Sequence, residues 1–340
     1  MLQDDGLFMI LLRCCRWFAL VLLALLILGT GAWCALALWY RSGFGDIGRI
    51  AIGCFAMLLA LAAALGLATS GRWKAVGLYA VVFASVLVWW ASISPSGHRA
   101  WTADAARSVT ATVAGNTLVV TNVRNFTWRS DTDFDKRWEQ RTYSLDDLKN
   151  VDLIMSYWAG EAIAHTLISF GFANGERLAF STETRKEVGE AYSPVAGFFK
   201  QYELAIIAAD ERDVVRVRTN VRGEDVRIYH LRVKPSDARI LLLNYLDSAN
   251  NLAKNPRFYN TATTNCTTQV FRLARTVHPG LPLDPRIFLS GYLPDYVYDE
   301  GGTTNAMPFD QLRTWAKVSA KALTAGGGPD FSQRIRESVP

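Results

Sequence analysis

The stretch Ala162–Arg185, "AIAHTLISFGFANGERLAFSTETR", decides what kind of domain this chain builds. Two runs rich in β-branched and aromatic residues flank Ala173-Asn174-Gly175-Glu176, which reads as an antiparallel hairpin. A two-residue turn at Asn174-Gly175 sets His165 opposite Thr184, whereas a three-residue turn with a bulge sets it opposite Glu183. Upstream, "VDLIMSYW" (Val151–Trp158) extends the sheet. Further back, "TATVAGNTLVVTNVRNF" (Thr110–Phe126) alternates and turns at Ala114-Gly115-Asn116. The polar and aromatic segment after it places Ser144 before Asp146-Asp147, the pattern of a short capped helical turn. Downstream, Glu203–Val233 ("ELAIIAADERDVVRVRTNVRGEDVRIYHLRV") supplies two or three more strands. "KPSDARILLLNYLDSANNLAKN" then has helical spacing, with Ser236 or Asp237 as its cap. Antiparallel strands followed by helices predict an α+β domain.

The rest of the chain differs in kind. Of 340 residues, 50% are hydrophobic and the net charge is +5, averages that hide an apolar N-terminal third. No charged residue falls between Trp17 and Tyr40, and further uncharged runs cover Ile50–Ser70 and Ala75–Ile93. Each is long enough to cross about 30 Å of hydrocarbon at 1.5 Å per residue. Three such runs in succession read as transmembrane helices over about 17–40, 50–70 and 75–93, not as a cleaved leader. The expected division is a membrane region over 1–96, a catalytic domain over 97–324 and a flexible C-terminal tail over 325–340. Arg13, Arg16, Arg72 and Lys74 favour a cytoplasmic N-terminus, although Arg41 and Arg49 blunt the bias. Three crossings from that side place the domain after Ser96 outside the cytoplasm, in a bacterium the periplasm.

Four of five cysteines (Cys14, Cys15, Cys34, Cys54) lie in or beside the apolar runs, which leaves Cys266 alone in the soluble part. It sits in "TTNCTTQVFRLARTV", where Thr263, Thr264 and Asn265 are acceptable N-caps and Val270, Phe271 and Leu273 give an apolar stripe. That places Cys266 in a first helical turn, where free backbone N–H groups and the helix dipole favour a thiolate. Such a nucleophile needs a base. His98 lies at the membrane exit, His278 precedes a proline, and His230 is on a strand as an ordinary polar-face residue. His165, inside the apolar hairpin strand, is the candidate general base; its other reading is a hydrogen-bonded core histidine. Ser181, Thr182 and Glu183 are candidates to orient its ring, Glu183 being equally a partner for Arg185 or Lys186. Tyr259, Asn260 and Asn265 flank the cysteine and either shape a substrate site or cap the loop.

Several stretches resemble the family of the N-terminal periplasmic domain of a lipoprotein N-acyltransferase, within the permuted papain-like (NlpC/P60-related) superfamily. They are "NVRNFTWRSDTDFDKRWEQRTYSLDDLKNVD", "AHTLISFGF", "FSTETRKEVGE", "IIAADERDVVRVRTN" and "FYNTATTNCTT". The resemblance implies a papain-like fold and a Cys–His thiol enzyme with Cys266 as nucleophile and His165 as base. It also implies acyl transfer to a lipoprotein amine through a thioester. The family's named member carries its membrane segments after the catalytic domain; here three precede it, which leaves the acceptor open.

Other chemistries find little support. "SDTDFDK" (Ser130–Lys136) lacks the glycine and the glutamate of a calcium loop, no paired Cys/His spacing fits zinc, and no basic tract suggests nucleic acid. No metal or other cofactor is expected. Trp128 and Trp138 read as core aromatics ahead of an acyl groove. The leading reading is a membrane-anchored acyltransferase or thioester-forming hydrolase acting on a lipid or lipoprotein at the bilayer surface. An envelope peptidase or amidase with the same pair, and a non-catalytic sensor or binding domain, are the alternatives.

Overall fold

The computed structural model describes residues 4–304 and 306–337. The chain divides into two compact units, one of residues 1–95 with 199–201, the other of 96–198 with 202–340.

The first unit is helical: α1 (Asp4–Arg41), α2 (Asp46–Gly66) and α3 (Arg72–Ser92). All three are long and apolar enough to cross a membrane. α1 starts upstream of Trp17, because Leu, Met and Arg are good helix formers and a charge does not end a helix. Small residues let the helices approach closely. A Cβ added at Gly31 would fall 2.3 Å from the Ala60 Cβ, and Ala60 is fully buried. The Tyr79 hydroxyl of α3 donates to the Ile27 carbonyl of α1 at 3.0 Å, so this polar group among apolar helices is satisfied within them. Trp17, Phe18, Leu25 and Leu26 point outward and exposed.

The second unit is α+β. Its strands are β1 (Thr110–Ala114), β2 (Thr117–Arg124), the short pair β3 (Thr127–Trp128) and β4 (Phe134–Asp135), and β5 (Trp138–Ser144). They continue as β6 (Leu148–Tyr157), β7 (Ala164–Phe172), β8 (Arg177–Arg185), β9 (Glu203–Ala209) and β10 (Asp225–His230). The main sheet runs β1-β2-β9-β8-β7-β6-β10, with β5 paired to β2. It is antiparallel, as expected, except for one parallel pair, Arg124↔Ala209 of β2 and β9. Helices α5 (Pro235–Lys254) and α6 (Cys266–Val277) follow, and Tyr245 of α5 packs on Phe180 and Phe170. By strand alternation, Leu167 and Ala179 face the other way. There they share a core with Val214, Val215, Val318, Phe331 and Ile335. The central strands are thus buried on both faces, which explains the unbroken apolar run of β9.

Of the two or three strands expected over Glu203–Val233, two form, β9 and β10. Between them Asp210 caps α4 (Glu211–Val214) by accepting the Arg212 N–H, and a π-helical turn follows over Val217–Val221. Three other expectations change. α5 begins at Pro235 with Lys234 as N-cap, since proline at the first position needs no N–H partner. Leu145–Asp147 forms the short turn, but Ser144 makes no capping bond and instead accepts from Asn116 at 3.0 Å. Finally, the stretch expected to be a loose tail is packed. After α7 (Leu293–Asp299), α8 (Phe309–Trp315) and α9 (Ser319–Ala325), α10 (Phe331–Arg334) buries Phe331 and Ile335 completely. Arg336 then pairs with buried Asp152 at 2.8 Å and Glu211 at 2.5 Å.

Candidate active site

The β7–β8 hairpin settles which residue faces His165. Phe172 N–H bonds to the Glu176 carbonyl, enclosing the three residues Ala173-Asn174-Gly175, with Gly175 at φ +85°. A left-handed third residue is what a three-residue hairpin loop requires, and glycine adopts it at no steric cost. The register runs from Gly171↔Arg177 to Leu167↔Ser181, and its continuation sets His165 opposite Glu183.

The contacts agree. His165 Nε2 lies 2.6 Å from Ser181 Oγ and 3.2 Å from Glu183 Oε1. Ser181 spends its single proton on Glu183 Oε1 at 2.6 Å, so in the Ser181 contact Nε2–H is the donor. Nδ1 is then the ring nitrogen left for the sulfur. Glu183 also receives Arg218 Nη2 at 3.0 Å, while Arg218 Nη1 donates to the Val214 carbonyl at 2.7 Å. Sequence reading gave Arg218 no role. Nothing in the Val-Arg alternation of "VVRVRTNV" signals a π-helical turn.

Cys266 is the first residue of α6. Asn265 is its N-cap: the side-chain oxygen accepts the Thr268 N–H at 2.9 Å, and the Thr268 hydroxyl accepts the Asn265 N–H at 2.9 Å. This capping box uses the third amide of the helix and leaves those of Cys266 and Thr267. The helix start is seated on β7 by a 3.2 Å contact between the Thr166 and Thr267 hydroxyls, a pair that sequence reading also missed. Both are buried, and Cys266 itself is part-exposed.

Charge follows from this packing. Burial raises the pKa of the Cys266 thiol. The positive charge and hydrogen bond of His165, a hydrogen bond from the Thr166 backbone and the Thr267 hydroxyl outweigh it and bring the value down to about 7. Burial disfavours the imidazolium, yet the charges of Glu183 and Cys266 raise its pKa to about 9 in spite of Arg218. Burial also works against the Glu183 carboxylate, and His165, Arg218 and Ser181 hold it well below the usual range. The pair therefore favours thiolate beside imidazolium near neutral pH.

The sulfur opens into a cleft of about 1140 Å³. One part of its lining is apolar (Trp158, Ile163, Val188, Tyr192, Phe288), and the first four of these are more than a third exposed, as is Phe288. Tyr259 and Asn265 also line it. Asn260 instead holds the loop, its Oδ1 accepting the Ala262 and Thr263 N–H groups at 3.0 Å each. Trp128 packs with Phe126 and Phe134 as a core aromatic and donates to Asp213 at 2.7 Å. A separate cavity of about 1070 Å³, lined by Arg141, Arg177, Asp210 and Arg336, shares no residue with this cleft. Among the described residues no cluster of His, Cys, Asp and Glu is arranged to hold a metal ion.

No curated protein and no solved structure matches the chain significantly. A family model described as the Lnb N-terminal periplasmic domain matches residues 134–316, a range that holds His165, Glu183, Arg218 and Cys266. This match covers more than half of the 340 residues and follows three helices able to span a membrane. The chain therefore belongs to the family of the Lnb N-terminal periplasmic domain.

Proposed function

We propose that this protein is a thiol acyltransferase of the cell envelope, held in the bacterial inner membrane by α1–α3 with its catalytic domain in the periplasm. The observation that carries the reading is the helix-start Cys266 sharing a cleft with His165, whose Nε2 lies 2.6 Å from Ser181 Oγ and 3.2 Å from Glu183 Oε1. A thiol at its ordinary value of 9.0 is about 1% ionised at pH 7. At a pKa of about 7 half the sulfur is thiolate, ready to attack.

In this reaction the thiolate adds to an ester carbonyl carbon. A C–S bond forms, and the carbonyl π electrons move to oxygen, toward the free amides of Cys266 and Thr267. Collapse breaks the ester C–O bond, and His165 passes its Nδ1 proton to the departing alkoxide. An acyl thioester on Cys266 and a neutral imidazole remain. An incoming amine then attacks the thioester, His165 takes the amine proton, and the thiolate leaves. The apolar cleft wall suits a long acyl chain, and membrane anchoring raises the local concentration of lipid-linked substrate.

The test is intact mass of the purified full chain after incubation with phospholipid. An added acyl mass, absent in Cys266→Ala, is expected. Cleavage of envelope peptides with no long-chain adduct would instead make the protein a peptidase, and neither product would leave a binding domain. A topology reporter fused after Pro340 should be active only in the periplasm.

A further inference from the structure

Arg218 is a buried cation that the chemistry above does not call upon. We infer that it is a positioning residue: it holds Glu183 by Oε1, so that the carboxylate orients the His165 ring without monopolising its proton. This inference rests on the Cys266–His165 reading just proposed.

The geometry supports it. Glu183 Oε1 is a shared acceptor, receiving Arg218 Nη2 at 3.0 Å and Ser181 Oγ at 2.6 Å, with His165 Nε2 at 3.2 Å. Of the three, the imidazole contact is the longest. The guanidinium is itself fixed at its other nitrogen by the Val214 carbonyl, at 2.7 Å. It projects from the π-helical turn, on the side of the sheet that carries His165, Ser181 and Glu183. Neighbouring charges do not replace it. Arg124 is taken up by Asp213 at 2.8 and 3.0 Å, Arg222 pairs with Asp131 at 2.7 Å, and Glu224 accepts from Ser156. Across from these, His165 and Cys266 face Glu183 and Arg218, and the phenols of Tyr259 and Tyr192 line the same cleft.

A cation so placed does two things. It keeps Glu183 ionised and aimed, and it repels the imidazolium enough that His165 can still give its proton to a leaving group. Without it, Glu183 and His165 would close into a tight pair and the ring would release its proton only at higher pH.

The experiment needs no substrate. The full chain, with Cys14, Cys15, Cys34 and Cys54 changed to Ser, is alkylated by iodoacetate and by iodoacetamide across pH 6–11, as the assay range. The ratio of the two rates reports the positive charge beside the sulfur and falls as the imidazolium loses its proton, with a midpoint near pH 9 in the parent. Arg218→Gln should move this midpoint up by roughly one pH unit. Arg218→Lys, which keeps the charge, should leave it in place, a rescue that a merely structural role does not predict. An unmoved midpoint in folded Arg218→Gln overturns the inference. If that variant does not fold, Glu183→Gln carries the test. Its midpoint should fall by more than about one unit, and no fall would show that Glu183 does not act on the ring and would overturn the inference that Arg218 positions the ring through it. A parent whose Cys266 titrates as an ordinary thiol, with a ratio independent of pH, would sink the reading of the site as a whole.

Discussion

Replacing His165 with Gln puts a number on the activation of Cys266. Gln can still donate to Ser181 Oγ, but the positive charge and the hydrogen bond that hold the thiol near 7 are lost, and burial remains to raise it. The Thr166 backbone and the Thr267 hydroxyl still oppose burial, so the thiol rises toward its ordinary value of 9.0, by up to about two units. The full two units correspond to about 2.7 kcal/mol and take the ionised fraction at pH 7 from about one half to about 1%. The weaker acid is the better nucleophile: a Brønsted slope of about 0.4–0.5 makes its thiolate roughly 6–10-fold more reactive. Exchange with a small neutral disulfide such as 4,4′-dithiodipyridine should therefore slow by no more than about 5–8-fold at pH 7. At pH 10, where both thiols are ionised and the His165 ring of the parent has lost its proton, the two rates should converge. Stopped-flow absorbance on the chain with the other four cysteines replaced measures both rates. A variant slower by one common factor at both pH values would mean that His165 governs access to the sulfur and not its ionisation. A parent and variant with the same profile would mean the two groups do not interact.

Two further perturbations bear on the scaffold. Asn265→Ala removes the cap of α6 and should cost about 1 kcal/mol, a melting-point fall of roughly 2–4 °C for a domain of this size; an unchanged melt would refute the capping role. Arg336→Ala strips buried Asp152 and Glu211 of a shared partner and should destabilise by roughly 3–5 kcal/mol in chemical denaturation, whereas a loose tail would give no change. Asp152 also makes a pH prediction. Burial raises its pKa, but Arg336, His230 and Arg177 drive it well below the usual carboxylate range. A depressed folded-state pKa contributes stability above the unfolded value, near 3.9, that is lost as pH falls through the folded one. The parent should therefore lose stability steeply below about pH 4, and Asp152→Asn should flatten that limb.

Much of the site was legible because its signals are local. Asn265 before Cys266, with an apolar stripe behind, specifies a helix start from a handful of adjacent residues, and the structure places it there with a capping box. Apolar length alone marked α1–α3. Alternation marked β6, β7 and β8, although "ERDVVRVRTNV" alternates as well and folds as α4 and a π-helical turn. There the Asp210 cap at the strand's end outweighed the β-propensity of valine. The C-terminal stretch misled for the opposite reason. Three glycines and a proline look like a terminus, but Phe331, Ile335 and Arg336 find partners more than a hundred residues away, which no local window contains.

Taken alone, the residues of this chain determined three membrane-length helices, a strand histidine, and a cysteine at the mouth of a helix. Each depends on spacing within a few turns or one strand, where propensity and pattern suffice. Only the tertiary structure decided that His165 faces Glu183 and not Thr184, because one residue in the Ala173-Asn174-Gly175 turn sets the register. It alone brought in Arg218, since a buried charge is placed by the partner it must find across the fold.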